Sequence, residues 1–133
     1  MTVIVAIIVL IGVLYYLFPI IQVIGDSMYP TYYDQEILFG RRLYLKSKLK
    51  KGDVIVYRTP YDPYRVVIKR ISRITRNSCG DLMFYCLGDN SECSHDSRNY
   101  GFVPSKNLVC KVIITKRRIF IKSKCKGGSK DEQ

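Results

Sequence analysis

Apolar positions run almost without a break from Val3 to Ile24, interrupted only by Gly12, Tyr15, Tyr16, Pro19 and Gln22. Twenty-two such positions make a helix of about 33 Å, enough to cross a bilayer core of about 30 Å. This predicts one N-terminal transmembrane α-helix over residues 1–24. A cleavable export signal would carry a basic start, a shorter apolar centre and a small-x-small cleavage site. Met1-Thr2 has no side-chain charge and no Ala-x-Ala follows, which favours an uncleaved single-pass anchor. Past residue 24 the period changes, and no segment keeps a helical repeat with caps. Strands are expected at Glu36–Tyr44, Asp53–Arg58, Tyr64–Arg76, Leu82–Leu87, Asn107–Thr115 and Arg118–Lys122. Ser78-Cys79-Gly80-Asp81 joins the third and fourth as a hairpin. Residues 88–104 form an irregular loop. The expected class is an all-β domain of antiparallel sheets over residues 25–126, with a polar tail over 127–133.

Charge adds a partner class. The chain has 22 Lys and Arg against 11 Asp and Glu, a formal net charge of +11, and Ser105 to Lys126 holds eight basic residues and no acidic one. A nucleic-acid surface and a plain solvated face are alternatives. Beside an anchor, attraction to anionic lipid head groups accounts for the charge most simply, without nucleic acid. Orientation does not follow from charge: the positive-inside rule puts the basic side in the cytoplasm, but long domains translocate regardless.

Five cysteines, Cys79, Cys86, Cys93, Cys110 and Cys125, leave at least one unpaired. There is no CxxC pair and His95 is the single histidine, so no zinc site is expected. Free buried thiols are the expectation, with a Cys79–Cys86 disulfide possible but not compelled.

The chemistry starts at Ser27, in a segment punctuated by Gly25 and Pro30, where a turn exposes a hydroxyl and its neighbouring amides. A serine hydroxyl attacks poorly unless a base takes its proton. A Ser-His-Asp triad could be built only around His95. Lys69 is the other candidate: Val66, Val67, Ile68 and Ile71 surround it, and an ammonium among apolar neighbours is costly. Desolvation lowers a lysine pKa, and a fall from about 10.4 to near 8 costs roughly 3 kcal/mol while leaving a usable neutral fraction. Alone, Lys69 also reads as a solvent-facing lysine on an edge strand. Residues 88–98, Gly88 to Arg98, form a third cluster dense in hydrogen-bonding groups; Asp96 and Arg98 can pair and a serine can engage the lysine, although an ordinary Asx-rich loop has the same composition.

Together these stretches resemble type I signal peptidases. Ser27-Met28-Tyr29-Pro30-Thr31 is similar to that family's Ser-Met-x-Pro-Thr box, and Gly52-Asp53-Val54-Ile55-Val56-Tyr57 to its Gly-Asp-strand box. Ile68-Lys69-Arg70-Ile71 matches the lysine box. Gly88-Asp89-Asn90, Ser94-His95-Asp96-Ser97-Arg98 and Gly101-Phe102-Val103-Pro104 match the final one. Four boxes occur in family order over residues 25–104.

The resemblance implies a Ser/Lys-dyad serine endopeptidase without cofactor or metal. It implies Ser27 as nucleophile and Lys69 as general base, Ser94 orienting the lysine, and an Asp96–Arg98 salt bridge in support. The Ser27 backbone amide would supply part of the oxyanion hole. Some relatives place a hydroxyl two residues before the nucleophile; Gly25 stands there, leaving a backbone amide, Gly25's included, as the candidate second donor. Substrates would be secretory preproteins, cleaved after small residues at −1 and −3 and bound as an added strand. Val23, Ile24, Val66 and Ile68 are candidate pocket walls. The implied location is the plasma membrane, single-pass, with the catalytic domain on the extracytoplasmic side. A peptidase dedicated to one substrate and an inactive signal-peptide-binding module are the competing functions; retention of both Ser27 and Lys69 argues against the latter.

Overall fold

The computed structural model describes residues 1–42 and 48–115. Helix α1 spans Thr2–Leu17 and none of its residues is buried. It ends where Pro19 removes a backbone donor and pushes its predecessor out of the helical region; Phe18 sits at φ −121°. Sixteen residues rise about 24 Å. The expected 22-position transmembrane helix is therefore corrected: among the described residues no helix is long and apolar enough to cross a membrane. The end of that apolar run is instead β1 (Ile20–Gln22), antiparallel to β2 (Ile37–Arg41) in the register Ile20↔Phe39, Ile21↔Leu38 and Gln22↔Ile37. Ile21 and Val23 turn inward while Ile20, Gln22 and Ile24 face out, a period of two.

The other strands are β3 (Val54–Arg58), β4 (Val66–Arg76), β5 (Leu82–Leu87), β6 (Val103–Pro104) and β7 (Leu108–Thr115). They form one sheet of order β1-β2-β7-β3-β4-β5-β6, and every pairing is antiparallel. The all-β antiparallel expectation holds. The turn from β4 to β5 covers residues 77–81. Asn77 Oδ1 accepts from the amides of Cys79 and Asp81, and Gly80 takes the φ of +85° that closes the turn. Within the expected irregular loop lie β6 and a short helix α2 (Ser97–Tyr100). The expected strand Arg118–Lys122, the polar tail, Tyr44 and Cys125 lie outside the described residues.

Two apolar clusters hold the sheet. Val23, Met28, Leu38, Val54, Val56, Ile68, Cys110 and Val112 share one; Ile55, Tyr57, Ile71, Phe84, Cys86 and Val103 share the other. Strand β3 contributes to both, so it reads as a continuous apolar run rather than an alternating one. Of the described cysteines, Cys86 and Cys110 are buried and free as expected, whereas Cys79 and Cys93 are exposed.

Candidate active site

The loop between β1 and β2 carries Ser27, and Met28, fully buried in the core, pins it from below. The Tyr29 amide donates to Asp26 O and the Tyr32 amide to Met28 O, closing the chain around the serine. From across the sheet, the Asn90 amide donates to Ser27 O at 3.0 Å and Asn90 Nδ2 to Asp26 O at 3.1 Å. The residues after β5 thus grip both carbonyls flanking the Ser27 amide. No acceptor within the described protein takes the Ser27 N–H.

Lys69 lies opposite Ile55 on β3, in the central part of the sheet. It is 3% exposed. Its Nζ donates to Ser27 Oγ at 2.8 Å. Burial lowers the Lys69 pKa to about 8; Asp96 pulls it back up, Arg65 and Arg98 push it further down, and Asp89 raises it. Desolvation is the largest of these effects, and it produces the neutral fraction that a base requires.

Asp96, fully buried, organises the residues behind the lysine. Its carboxylate accepts from the Gly88 amide at 2.8 Å, from Ser94 Oγ at 2.7 Å, and from Arg98 Nε at 2.9 Å and Nη2 at 2.6 Å. Burial alone would raise its pKa, but the Arg98, Gly88 and Ser94 donors outweigh that and hold it well below the usual carboxylate range. Asp96 also caps α2, with Asn99 completing a capping box. The expected Asp96–Arg98 pair is present. Ser94 behaves differently: its hydroxyl donates to Asp96, and the hydrogen bond that Lys69 makes is to Ser27. Ser94 therefore touches the lysine's surroundings through Asp96.

A second ion pair ties the lysine strand to the serine loop. Arg70, next to Lys69, reaches Asp89 with Nε at 2.9 Å and Nη2 at 2.7 Å and donates through Nη1 to Gly52 O. Thr31 Oγ1 donates to the same Asp89 carboxylate. Burial raises the Asp89 pKa, and the Arg70 and Thr31 hydrogen bonds bring it below its ordinary value. Neither Arg70, Thr31, Asp89 nor Asn90 is singled out as a site residue by sequence reasoning. All four lie inside or beside the motif boxes, which is the signal that could have found them.

The other expected positions divide. The Gly25 amide donates to Asp34 Oδ1 at 2.7 Å, so the candidate second oxyanion donor is already engaged. Val23 and Ile68 are buried core residues, whereas Ile24 is 79% and Val66 50% exposed. Of the four proposed walls, only those two present surface. His95 packs its ring against Tyr61 and Tyr100. It makes no hydrogen bond to Ser27, and the triad alternative falls away. Among the described residues no group of three or more His, Cys, Asp or Glu is placed to hold a metal ion.

Gly88 is the tightest position. A Cβ there would meet Ser94 Oγ, come within 2.5 Å of Ser94 Cβ, and stand 2.6 Å from the Ser27 carbonyl oxygen. That carbonyl is held by Asn90 and cannot yield without moving Ser27. Gly88→Ala is expected to cost about 1–3 kcal/mol of stability. In any cleavage assay it should lower kcat by about 100-fold, the scale of a 1 Å displacement at a reacting group. Near-wild-type kcat in this variant would mean that the Ser27 loop is not held as described.

A family model described as "Signal peptidase, peptidase S26" matches residues 1–74 and 77–116. The mitochondrial ATP-independent inner membrane protease subunit 1a of Arabidopsis thaliana is 31% identical over 118 residues, covering 74% of this chain and 70% of that protein. Mitochondrial inner membrane protease subunit 1 of Mus musculus and of Homo sapiens are each 29% identical over 96 residues, 60% of this chain. The match spans 58% of the length of those two mammalian relatives. The family match runs through both stretches that converge on Ser27 and Lys69, and the chain belongs to the signal peptidase family, peptidase S26.

Proposed function

We propose that this chain is a membrane-associated serine endopeptidase that removes N-terminal signal peptides from exported preproteins, with Ser27 as nucleophile and Lys69 as general base. The observation that carries this is the 2.8 Å contact between a buried lysine amine and the serine hydroxyl. At pH 7 a lysine with a pKa of about 8 is neutral in about one molecule in ten. The neutral amine takes the Ser27 proton as Oγ attacks the scissile carbonyl, and the Ser27 N–H, without an acceptor among the described residues, faces the developing oxyanion. Collapse breaks the peptide bond, the lysine ammonium returns its proton to the leaving amine, and an acyl-enzyme remains on Ser27. Water, deprotonated by Lys69, releases the acyl group. Asp96, with Ser94 and Arg98, positions the residues behind the amine.

Cleavage after small residues at −1 and −3 follows from the family likeness, with the exposed Ile24 and Val66 flanking the strip where an extended substrate would lie. Helix α1, apolar and exposed at every residue before Leu17, belongs in the apolar phase of a membrane. Relatives named as inner membrane proteases support that assignment. Ser27 follows the end of α1 by ten residues, so the chemistry stays near the membrane, on the extracytoplasmic face where signal peptides emerge. The relatives' description as subunits makes a partner subunit part of the proposal, alongside anionic lipid.

The test is cleavage of several purified preproteins by wild type, Ser27→Ala and Lys69→Ala in detergent or lipid, with the new N-terminus sequenced. Cutting after a small-x-small site by wild type only is the expected result. Inert wild type across the panel would replace this reading with a dedicated substrate or a binding module.

A further inference from the structure

At the junction of α1 with the sheet, the Arg42 guanidinium lies over the Tyr16 ring, 4.7 Å from its centroid. The Arg42 amide donates to Leu17 O at 2.9 Å, and the Gly40 amide to Pro19 O. The last turn of α1 is therefore fastened to the end of β2 rather than hinged. Arg41, at that end of β2, is exposed, as are Arg42, Tyr15 and Tyr16. Arg41 is the last residue of β2 and Arg42 the next, so both stand at the junction where the chain meets the end of α1. The neighbouring cation Lys111, which pairs in register with Arg41, is taken up by Asp53 at 2.9 Å. Neither Arg41 nor Arg42 makes a salt bridge among the described residues.

We infer that Arg41 and Arg42 form a cationic collar that binds the phosphates of anionic lipids where α1 leaves the apolar phase. The inference rests on the assignment of α1 to a membrane. Tyrosines at the end of an apolar helix mark the head-group level, and a guanidinium stacked on one of them is held at that depth. Phosphate oxygens are the matching acceptors for two unpaired guanidinium groups, and the apolar Phe18, Ile20 and Phe39 beside them are exposed and suited to the acyl boundary. The consequence reaches the active site. Strand β2 carries the arginines at one end, while Glu36 and Gln35, just before its other end, exchange hydrogen bonds with Val23, four residues before Ser27. Five residues of strand separate the two ends by about 17 Å. Head-group binding at the collar therefore sets how far Ser27 stands from the lipid phosphates.

The test uses the full chain with Ser27→Ala, so that binding is read without catalysis, and flotation with vesicles of phosphatidylcholine alone or with a third phosphatidylglycerol. Binding to both, tighter to the anionic vesicles, is expected, with the increment falling as salt rises. Arg41→Gln and Arg42→Gln should each remove about five-fold of that increment, and the double variant about 25-fold. Arg42→Lys should keep most of it. Binding to neither vesicle would overturn the membrane assignment of α1. Equal binding to both, or an anionic increment unchanged in the double variant, would overturn the collar while leaving the anchor standing. A change in sedimentation state in detergent caused by the arginine substitutions would assign the surface to a second copy of the chain instead.

Discussion

Lys69→Ala should reduce preprotein cleavage by about 10⁴-fold or more, the scale seen when one member of a nucleophile–base unit is removed. For the wild type, log kcat/KM should climb with unit slope at low pH, bend at about 8 where the amine is half neutral, and level off above that as it loses its proton. The same residue has an opposite effect on stability. The folded-state pKa of about 8 lies below the ordinary 10.5, so burial penalises the protonated form. Below pH 8 both folded and unfolded chains hold the proton and the full penalty applies; it is relieved between pH 8 and 10.5 as the folded chain alone loses it. A shift of this size corresponds to about 3 kcal/mol. Lys69→Met, similar in length and uncharged, should therefore be inactive yet more stable by up to about 3 kcal/mol at pH 7, with the gap closing toward pH 10. Urea denaturation of both proteins at the two pH values measures this. A Lys69→Met protein no more stable than wild type at pH 7 would mean that the amine is solvated and unsuited to act as base.

Asp96→Ala should be the most destabilising single change in the site, at about 2–4 kcal/mol, because it leaves the Gly88 amide and the Ser94 hydroxyl without their acceptor and removes the partner of Arg98. Asp96→Asn retains the shape and one acceptor oxygen and is the variant for kinetics. The Asp96 charge raises the Lys69 pKa, so removing it should move the pH–rate midpoint below about 8, giving a larger active fraction at neutral pH at the expense of stability. An unmoved or raised midpoint would show that Asp96 does not act on the lysine. The sign for acid is fixed as well: the folded carboxyl pKa is depressed, so its contribution is complete above about pH 4 and lost only as pH falls toward the folded value. Between pH 5 and 8 Asp96 contributes no pH dependence to stability.

The strands β3, β4, β5 and β7 were legible because each is an apolar or alternating run bounded by Gly, Pro, Asp or Asn, and these signals are local. The limits of the helix were not. Pro19 ends α1, but the apolar run continues through Ile24 and masks that stop, and the hydrogen bonds offered by β2 made its continuation a strand. Residues 88–104 read as irregular because α2 and β6 are too short to show a period; Asp96, as cap and acceptor, creates the first, and pairing with β5 the second.

The site divides in the same way. Ser27 and Lys69 stand out in the sequence through chemical type, apolar surroundings and motif order, and Asp96 and Arg98 as a pair within a loop dense in hydrogen-bonding groups, with their supporting role implied by the family resemblance. That Ser94 serves Asp96, that Gly25 spends its amide on Asp34, and that Val23 and Ile68 are buried in the core are outcomes of how the folded loops and strands come to rest. The amino-acid order by itself determined the class of chemistry and the antiparallel sheet, because side-chain type and hydrophobic period are properties of each segment alone. The 2.8 Å approach of Lys69 to Ser27, its lowered pKa, the grip of Asn90 on the serine loop and the fastening of α1 to β2 were decided only in the tertiary structure. Hydrogen bonds and desolvation depend on which groups pack together and which lose water, and no single segment carries that information.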